Sequence, residues 1–251
     1  MEHTIRLVLR IDRDGPILHV TLARPERRNA FDAALIEELH GAFAEVGDAR
    51  VVVLAGDGPS FCAGADVDWQ RASIDLSFDE NVEDALRLYR MLAAVDACPA
   101  PVVACVQGYA LGGGSGLVAC ADIAVAEPNA VFGFTEVRLG IIPAVISPFV
   151  LAKIGAHARR YFLTGERFDT EAALRIGLVH ERAEDVDGAV ERIVSELLQS
   201  GPDATRAAKR LVRGQQSAGE ELARIAAEMR AGAEGQEGLH AFLEKRLPSW
   251  L

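Results

Sequence analysis

Apolar and β-branched residues crowd positions 5–12 (IRLVLRID) and 17–24 (ILHVTLAR), and the polar Arg13-Asp14-Gly15-Pro16 between them predicts a strand, a turn and a second strand. The period then changes. Phe31, Leu35, Leu39, Phe43 and Val46 recur at helical spacing, with Asn29 and Asp32 placed to cap the helix, and VVVLAG at 51–56 predicts a buried strand. The same order returns after the small-residue segment GDGPSFCAGAD. A helix over 79–97 carries its apolar stripe on Val82, Leu86, Tyr89, Leu92 and Val95, and a strand follows over 101–107. A third round has a Gly-rich turn over 108–116, a short helix through Cys120, a strand at 122–126 and an extended piece at 130–134. Strands alternating with helices predict an α/β fold. From about residue 200 onward the pattern is helical only, broken near Gly201-Pro202 and Gly235, with Leu222, Ile225 and Met229 at apolar positions. The chain thus divides into an α/β core over 1–198 and a helical region over 199–251.

With 251 residues, half of them apolar, the chain can bury one substantial core, which excludes disordered and mini-protein classes. Its 26 Lys plus Arg against 37 Asp plus Glu give a formal charge of -11, so no general attraction to nucleic acid or anionic lipid exists and a polyanionic ligand must meet a local basic patch. Cys62, Cys98, Cys105 and Cys120 form no CxxC pair, and free thiols in a reducing cytosol fit them better than a disulfide framework or metal site. The first residues lack the apolar run of a signal peptide, and no run of about 18 apolar residues is present. A cytoplasmic protein is expected.

Two segments rich in Gly and Ala each follow a predicted strand: Ser60-Phe61-Cys62-Ala63-Gly64-Ala65-Asp66, and Gly108 through Gly116. Small residues let a ligand approach the backbone, and where such a loop feeds a helix the unpaired N–H groups of the first turn favour negative charge. An anion or oxyanion site and a tight helix–strand contact both satisfy this pattern. Gly114-x-Gly116-x-x-Ala119 matches the dinucleotide fingerprint only formally, because Tyr109–Gly113 intervene after the strand. Ser115 fails the nucleophile-elbow pattern at its last Gly and is expected to be a small packing residue. Glu136, flanked by aromatic and aliphatic residues in FGFTEVRLG, would be desolvated if buried, which suits it to acid–base chemistry; a salt bridge to Arg138 or another Arg is the structural alternative.

Taken together, Arg24-Pro25-Glu26-Arg27-Arg28-Asn29-Ala30-Phe31, Phe61–Asp66, Gly108–Gly114, and Phe132–Gly140 with Ile142-Pro143 resemble the crotonase family of enoyl-CoA hydratases and isomerases. The resemblance continues through YFLTGE at 161–166 to EGLHAFLEKR at 237–246 and so spans nearly the whole chain. It implies a spiral of repeated ββα units whose C-terminal helices build a homotrimer, often paired as a hexamer. It implies acyl-CoA as substrate, with the CoA thioester as the only handle and no metal or redox cofactor. Backbone N–H groups at the positions of Ala65 and Gly113 would form an oxyanion hole for the thioester carbonyl. One such donor is typically worth about 3 to 4 kcal/mol in the transition state. Arg24, Arg27, Ala30, Ala63 and Asp66 match contacts to the bent CoA, and Phe242 and Lys245 match tail positions that approach CoA from the same or a neighbouring subunit.

The family's hydratases carry two glutamates, and the positions here are Gly116 and Glu136: the second is kept and the first is absent. Hydration needs a water to be activated and the α-carbon to be protonated, so the two-carboxylate mechanism does not transfer unchanged. The resemblance of the Cys62–Trp69 segment and of LGIIPAVISP to bacterial 3-methylglutaconyl-CoA hydratase-type sequences implies hydration of a branched or carboxylated 2-enoyl-CoA. In that case Glu136 would activate the water while another group handles the second proton. Isomerisation of a 3-enoyl-CoA by a single glutamate is the alternative, and a non-catalytic acyl-CoA-binding protein is the reading from another class. Asp68, Glu83 and Asp84 are candidates for the missing acid, though each fits a solvated helix face. Trp69 and Tyr89 are candidates for the acyl pocket, with Tyr89 better placed in the core. His157, His180 and Asp122 read as structural.

Overall fold

Strands β1 (Leu9–Asp14) and β2 (Ile17–Leu22) form the antiparallel hairpin that the apolar pattern predicts. The computed structural model describes residues 8–214 and 219–251, so residues 5–7 of the first expected strand lie outside the described residues. The turn is tighter than expected. Arg13 and Asp14 stay in the ladder opposite Leu18 and Ile17, leaving Gly15 and Pro16 as a two-residue connection with Gly15 at φ +52°.

Parallel strands β3 (Val51–Gly56), β4 (Val102–Val106), β6 (Ile123–Ala126) and β9 (Glu181–Arg182) extend this hairpin into a six-stranded sheet of order β1-β2-β3-β4-β6-β9. Its central strands are buried on both faces, which is why they read as continuous apolar runs. Val52, Leu54, Val102 and Ala104 join the main core with Leu35 and Leu39 of α1 (Ala33–Ala44), while Val51, Val53, Val103 and Val125 pack with Ala189, Val190 and Val194 of α8 (Val186–Gln199). Each such fully buried Val or Leu contributes about 1.5–3 kcal/mol relative to an exposed one.

A second sheet of three short strands, β5 (Tyr109–Leu111), β7 (Val131–Gly133) and β8 (Arg167–Asp169), stands in the order β5-β7-β8. Strand β5 lies inside the segment read as a Gly-rich turn. Three residues carry too little pattern to announce a strand, and the pairing with β7 makes it one. Ser115 stitches this corner: its hydroxyl donates to Ala110 O at 2.6 Å and accepts from Gly133 N at 3.3 Å, the packing role expected of it.

Three further sequence expectations change. Asp32 caps α1, accepting from Leu35 N, but Asn29 does not; it is buried at φ +54°, accepts from Arg24 N and donates to Asp57 O and Ser60 O, pinning two loops together. In α3 (Phe78–Asp96), Leu92 and Val95 are buried, whereas Val82, Leu86 and Tyr89 are about two-fifths exposed, so Tyr89 is not core. Gly235 lies within α11 (Ala233–Glu244) and not at a break; the interruption falls at Gly232, after α10 (Gly219–Ala231). A Cβ on Gly235 would meet Met229 O at 2.0 Å, so its glycine serves the close contact of the two helices.

Helix α9 (Pro202–Val212) is fastened to the sheet by charge. Buried Lys209 bonds Asp122 Oδ2 at 2.7 Å and Ala100 O at 2.8 Å, Arg213 reaches Asp122 Oδ1 at 3.1 Å, and Asp122 also accepts from Val102 N at 2.7 Å. Desolvation holds the Lys209 ammonium below its ordinary pKa despite this partner. Asp122 is thus structural, as expected. So is His180, whose Nδ1 accepts from Ala124 N and whose pKa burial lowers to about 4. The four cysteines are free, and burial pushes the Cys62 thiol up to about 12. Among the described residues no cluster of metal-ligating side chains occurs, and no helix is long and apolar enough to cross a membrane.

Candidate active site

Strands β5 and β7 run parallel with Leu111 opposite Gly133, so their C-terminal ends deliver Gly112 and Glu136 side by side. Ligand sites in parallel sheets form at this end, where chains leave the ladder and backbone groups become free. Gly112, at φ +51°, donates its N–H to Gly133 O at 2.8 Å and leads directly into α4 (Gly113–Cys120). The first Gly-rich loop lies against the second: Cys62 N donates to Tyr109 O at 2.9 Å and Leu111 N to Cys62 O at 3.0 Å. A Cβ on Gly114 would fall 2.2 Å from Cys62 O, and one on Gly64, at φ +95°, would fall 2.8 Å from Leu111 O. These glycines are required by backbone-to-backbone approach.

Phe31 N donates to Gly64 O and Asp66 N to Phe31 O, which fixes the peptide between them. Among the described residues, neither Ala65 N nor Gly113 N has a protein acceptor, and both residues line one cavity of about 430 Å³. Two free donors at the edge of a cavity form what an oxyanion needs. Glu136 lines the same cavity as the first residue of a 3-10 turn, Glu136–Leu139, closed by Gly140 at φ +75°. A Cβ on Gly112 would come within 3.2 Å of Glu136 Oε1, so the carboxyl abuts the donor loop. Its Oε2 is buried without a hydrogen-bond partner, and desolvation raises the carboxyl above its ordinary pKa. Glu136 takes part in no ion pair among the described residues, and the expected alternative of a bridge to Arg138 is not formed.

Gly116 lies on the buried side of α4, where a Cβ would meet Ile146 Cγ2 at 2.6 Å. Ile146 therefore occupies the space of the absent side chain. The cavity's acids are Glu136 and, on α3, Asp84, whose Oδ1 accepts from Trp69 Nε1 at 3.3 Å. Asn81, Asp84, Ala85 and Leu88, at helical spacing, are the α3 residues that line the cavity. The apolar positions Val82, Leu86 and Tyr89 belong to another face, which explains their exposure. Trp69 lines the cavity and Tyr89 does not; it packs beside Phe149 with ring centroids 5.7 Å apart. Asp68 and Glu83 are committed elsewhere, to Arg27 and Arg71 and to Arg90 and Arg87.

The remaining expected site residues divide by position. Ala63 lines the cavity. Arg24 is largely buried and turned inward, pairing with Asp32 at 2.9 Å and Asp66 at 3.2 Å and donating to Ala30 O, so Arg24, Ala30 and Asp66 tie the 24–32 segment to the first Gly-rich loop. Asp66 also caps α2 (Val67–Ala72) by accepting from Asp68 N. Arg27 is half exposed. Phe242 and Lys245 lie exposed near the end of α11, apart from the cavity residues of the same chain. Arg167, which no motif in the sequence singles out, begins β8, lines the cavity, and stacks over the Tyr109 ring.

The family model described as enoyl-CoA hydratase/isomerase matches residues 12–251. The chain belongs to the enoyl-CoA hydratase/isomerase family. Among solved structures, an enoyl-CoA hydratase from Shewanella pealeana is 37% identical with a TM-score of 0.91, covering 97% of this chain and 96% of its own. AtuE of Pseudomonas aeruginosa is 38% identical with a TM-score of 0.92, covering 97% and 99%. A curated relative from Rhodobacter capsulatus, described as a probable enoyl-CoA hydratase, is 37% identical over 98% of this chain and 97% of its own length. The crotonase resemblance, its α/β fold with C-terminal helices and the assignment to a family of enzymes therefore stand.

Proposed function

We propose that the protein hydrates 2-enoyl-CoA thioesters through an enolate held by the Ala65 and Gly113 amides. The observation that carries this reading is Glu136, whose unpartnered carboxyl oxygen is buried beside Gly112 in the cavity that both free amides line. A desolvated acid in the same cavity as two free backbone donors costs stability, which favours an enzyme over a binding protein. Water gives up one proton as its oxygen bonds to C3, the C2=C3 electrons pass to the thioester oxygen, and C2 then takes a proton as the carbonyl re-forms. The reaction uses the CoA thioester as its handle and calls on no metal or redox group.

The substrate we infer is branched or carboxylated, 3-methylglutaconyl-CoA being one such compound. Leu139, Ile141, Ile142 and Val145 give the cavity an apolar wall for a branch, and Arg167 offers a guanidinium for a terminal carboxylate. Isomerisation of a 3-enoyl-CoA is the second reading, and Gly116 is what favours it, because a lone glutamate can carry one proton between carbons. Arg27 and Lys245 would supply the positive charge for CoA phosphates, with Phe242 and Lys245 reaching the cofactor handle of a neighbouring subunit in a trimer or hexamer. The setting is cytoplasmic. The test is an ultraviolet assay on crotonyl-CoA, 3-methylglutaconyl-CoA and a 3-enoyl-CoA. Loss of conjugated-thioester absorbance on either of the first two supports hydration, and a gain on the third alone replaces it with isomerisation.

A further inference from the structure

Hydration moves two protons, one from water and one to C2, and Glu136 is one group. Gly116 offers no second, since Ile146 fills the space beside it. Among the described residues that line the cavity, only Asp84 brings another carboxylate. It stands on the face of α3 that also presents Ala85 and Leu88 to the cavity, and it is half-buried there. The indole of Trp69, itself a cavity residue, donates to Oδ1 at 3.3 Å, which orients the carboxylate and leaves Oδ2 with no protein hydrogen bond among the described residues. Its acidic neighbours differ in this respect: Asp68 and Glu83 are both spent on arginines outside the cavity.

Resting on the hydratase reading, we propose that Asp84 is the second carboxylate of the reaction and accepts the proton of the water that attacks C3, while Glu136 delivers the proton to C2. This division reverses the expectation that Glu136 activates the water, and it follows from position. C2 is bonded to the thioester carbon whose oxygen sits between Ala65 and Gly113, so its proton donor must stand against that loop, where Glu136 abuts Gly112. C3 lies one bond further along the acyl chain, in the cavity whose wall α3 supplies through Asp84, Ala85 and Leu88. Water's O–H bond breaks as its oxygen bonds C3, the proton passes to Asp84, and the pair from C2=C3 moves to the thioester oxygen. Collapse of that enolate takes the Glu136 proton at C2, and the two carboxyl groups re-equilibrate through solvent with no net change in the protein. Burial, which holds the Glu136 carboxyl protonated to higher pH than usual, agrees with its acid role.

Asp84→Asn tests this, because its amide oxygen still accepts the Trp69 N–H. Two reactions are followed on the intact protein: hydration of crotonyl-CoA, and exchange of the α-protons of butyryl-CoA into deuterated water, which needs only the oxyanion hole and Glu136. The expected result is a loss of hydration of at least about 100-fold, the typical worth of a general base, with exchange within about threefold of wild type and with hydration partly restored in Asp84→Glu. Hydration by Asp84→Asn within about threefold of wild type overturns the proposal, and an equal fall in both reactions assigns Asp84 to structure and overturns it too. A wild-type protein that exchanges α-protons but hydrates no 2-enoyl-CoA removes the hydratase reading itself, and the inference falls with it.

Discussion

Glu136 keeps a carboxyl group where its charge is penalised, with one oxygen buried and unpartnered. That penalty has a pH signature. Below the ordinary glutamate value of 4.5 the group is protonated in folded and unfolded chains alike and does not oppose folding. As pH rises the unfolded chain ionises first, while burial keeps the folded group protonated until its raised value is passed, so stability falls across that interval. Glutamine cannot ionise. Glu136→Gln is therefore expected to melt above wild type near neutral pH, with the gap closing as pH is lowered toward 4; melting temperatures across this range check it, and a gap independent of pH contradicts the buried-charge account. The identity of Glu136 as the candidate acid was legible in the sequence from its aromatic and aliphatic neighbours. Its freedom from Arg138 was not, because a side chain's choice of partner depends on where a 3-10 turn points it.

At the scale of elements, the site is a meeting of two loops whose glycines are demanded by backbone contact, and α4 shows how closely the packing is drawn. A methyl group at residue 116 would press on Ile146 at 2.6 Å. Gly116→Ala is expected to cost about 1–3 kcal/mol by overpacking. In an Ile146→Ala background the same change should cost at least about 1 kcal/mol less, a coupling that denaturant titration of the four proteins measures; additive costs would contradict the contact. The glycine loops announced themselves through composition after strand-like runs. The cavity face of α3 did not, because its apolar residues at 82, 86 and 89 suggested one face whereas 81, 84, 85 and 88 turn to the cavity. An amphipathic pattern locates the core only when the core is what the helix packs against; here the first half of α3 borders a cavity instead. Strand β5 was hidden for a related reason, since its pairing is set by β7, whose partner residues lie 22 positions away in the chain.

Across the whole molecule, the three-stranded sheet β5-β7-β8 positions the site, and the last helices carry apolar side chains that the single chain leaves uncovered. Leu239, Phe242, Leu243 and Leu247 are 45%, 80%, 74% and 72% exposed. Exposed groups of this size in close succession mark a contact surface. The assembly we infer predicts that the purified protein sediments at three times the chain mass or a multiple of it, and a monomer at micromolar concentration would contradict it. The α/β alternation and the helical tail were both legible as patterns of period, and the ion-pair anchor of α9 at Asp122 was legible only as a polar residue opening a strand. Long-range partners such as Lys209 and Arg213 lie some ninety positions away and leave no local mark.

The central claim is that Glu136, beside the Ala65 and Gly113 amides, runs acyl-CoA chemistry by way of an enolate. Its most direct test is the conjugated-thioester absorbance of 2-enoyl-CoA substrates mixed with wild type and with Glu136→Ala, alongside CoA affinity of both proteins by calorimetry. The account predicts loss of absorbance with wild type, a rate lower by about 100-fold or more in the variant, and similar CoA affinity in the two. Equal rates in wild type and variant, or CoA binding by a wild type that turns over neither 2-enoyl nor 3-enoyl thioesters, would contradict it.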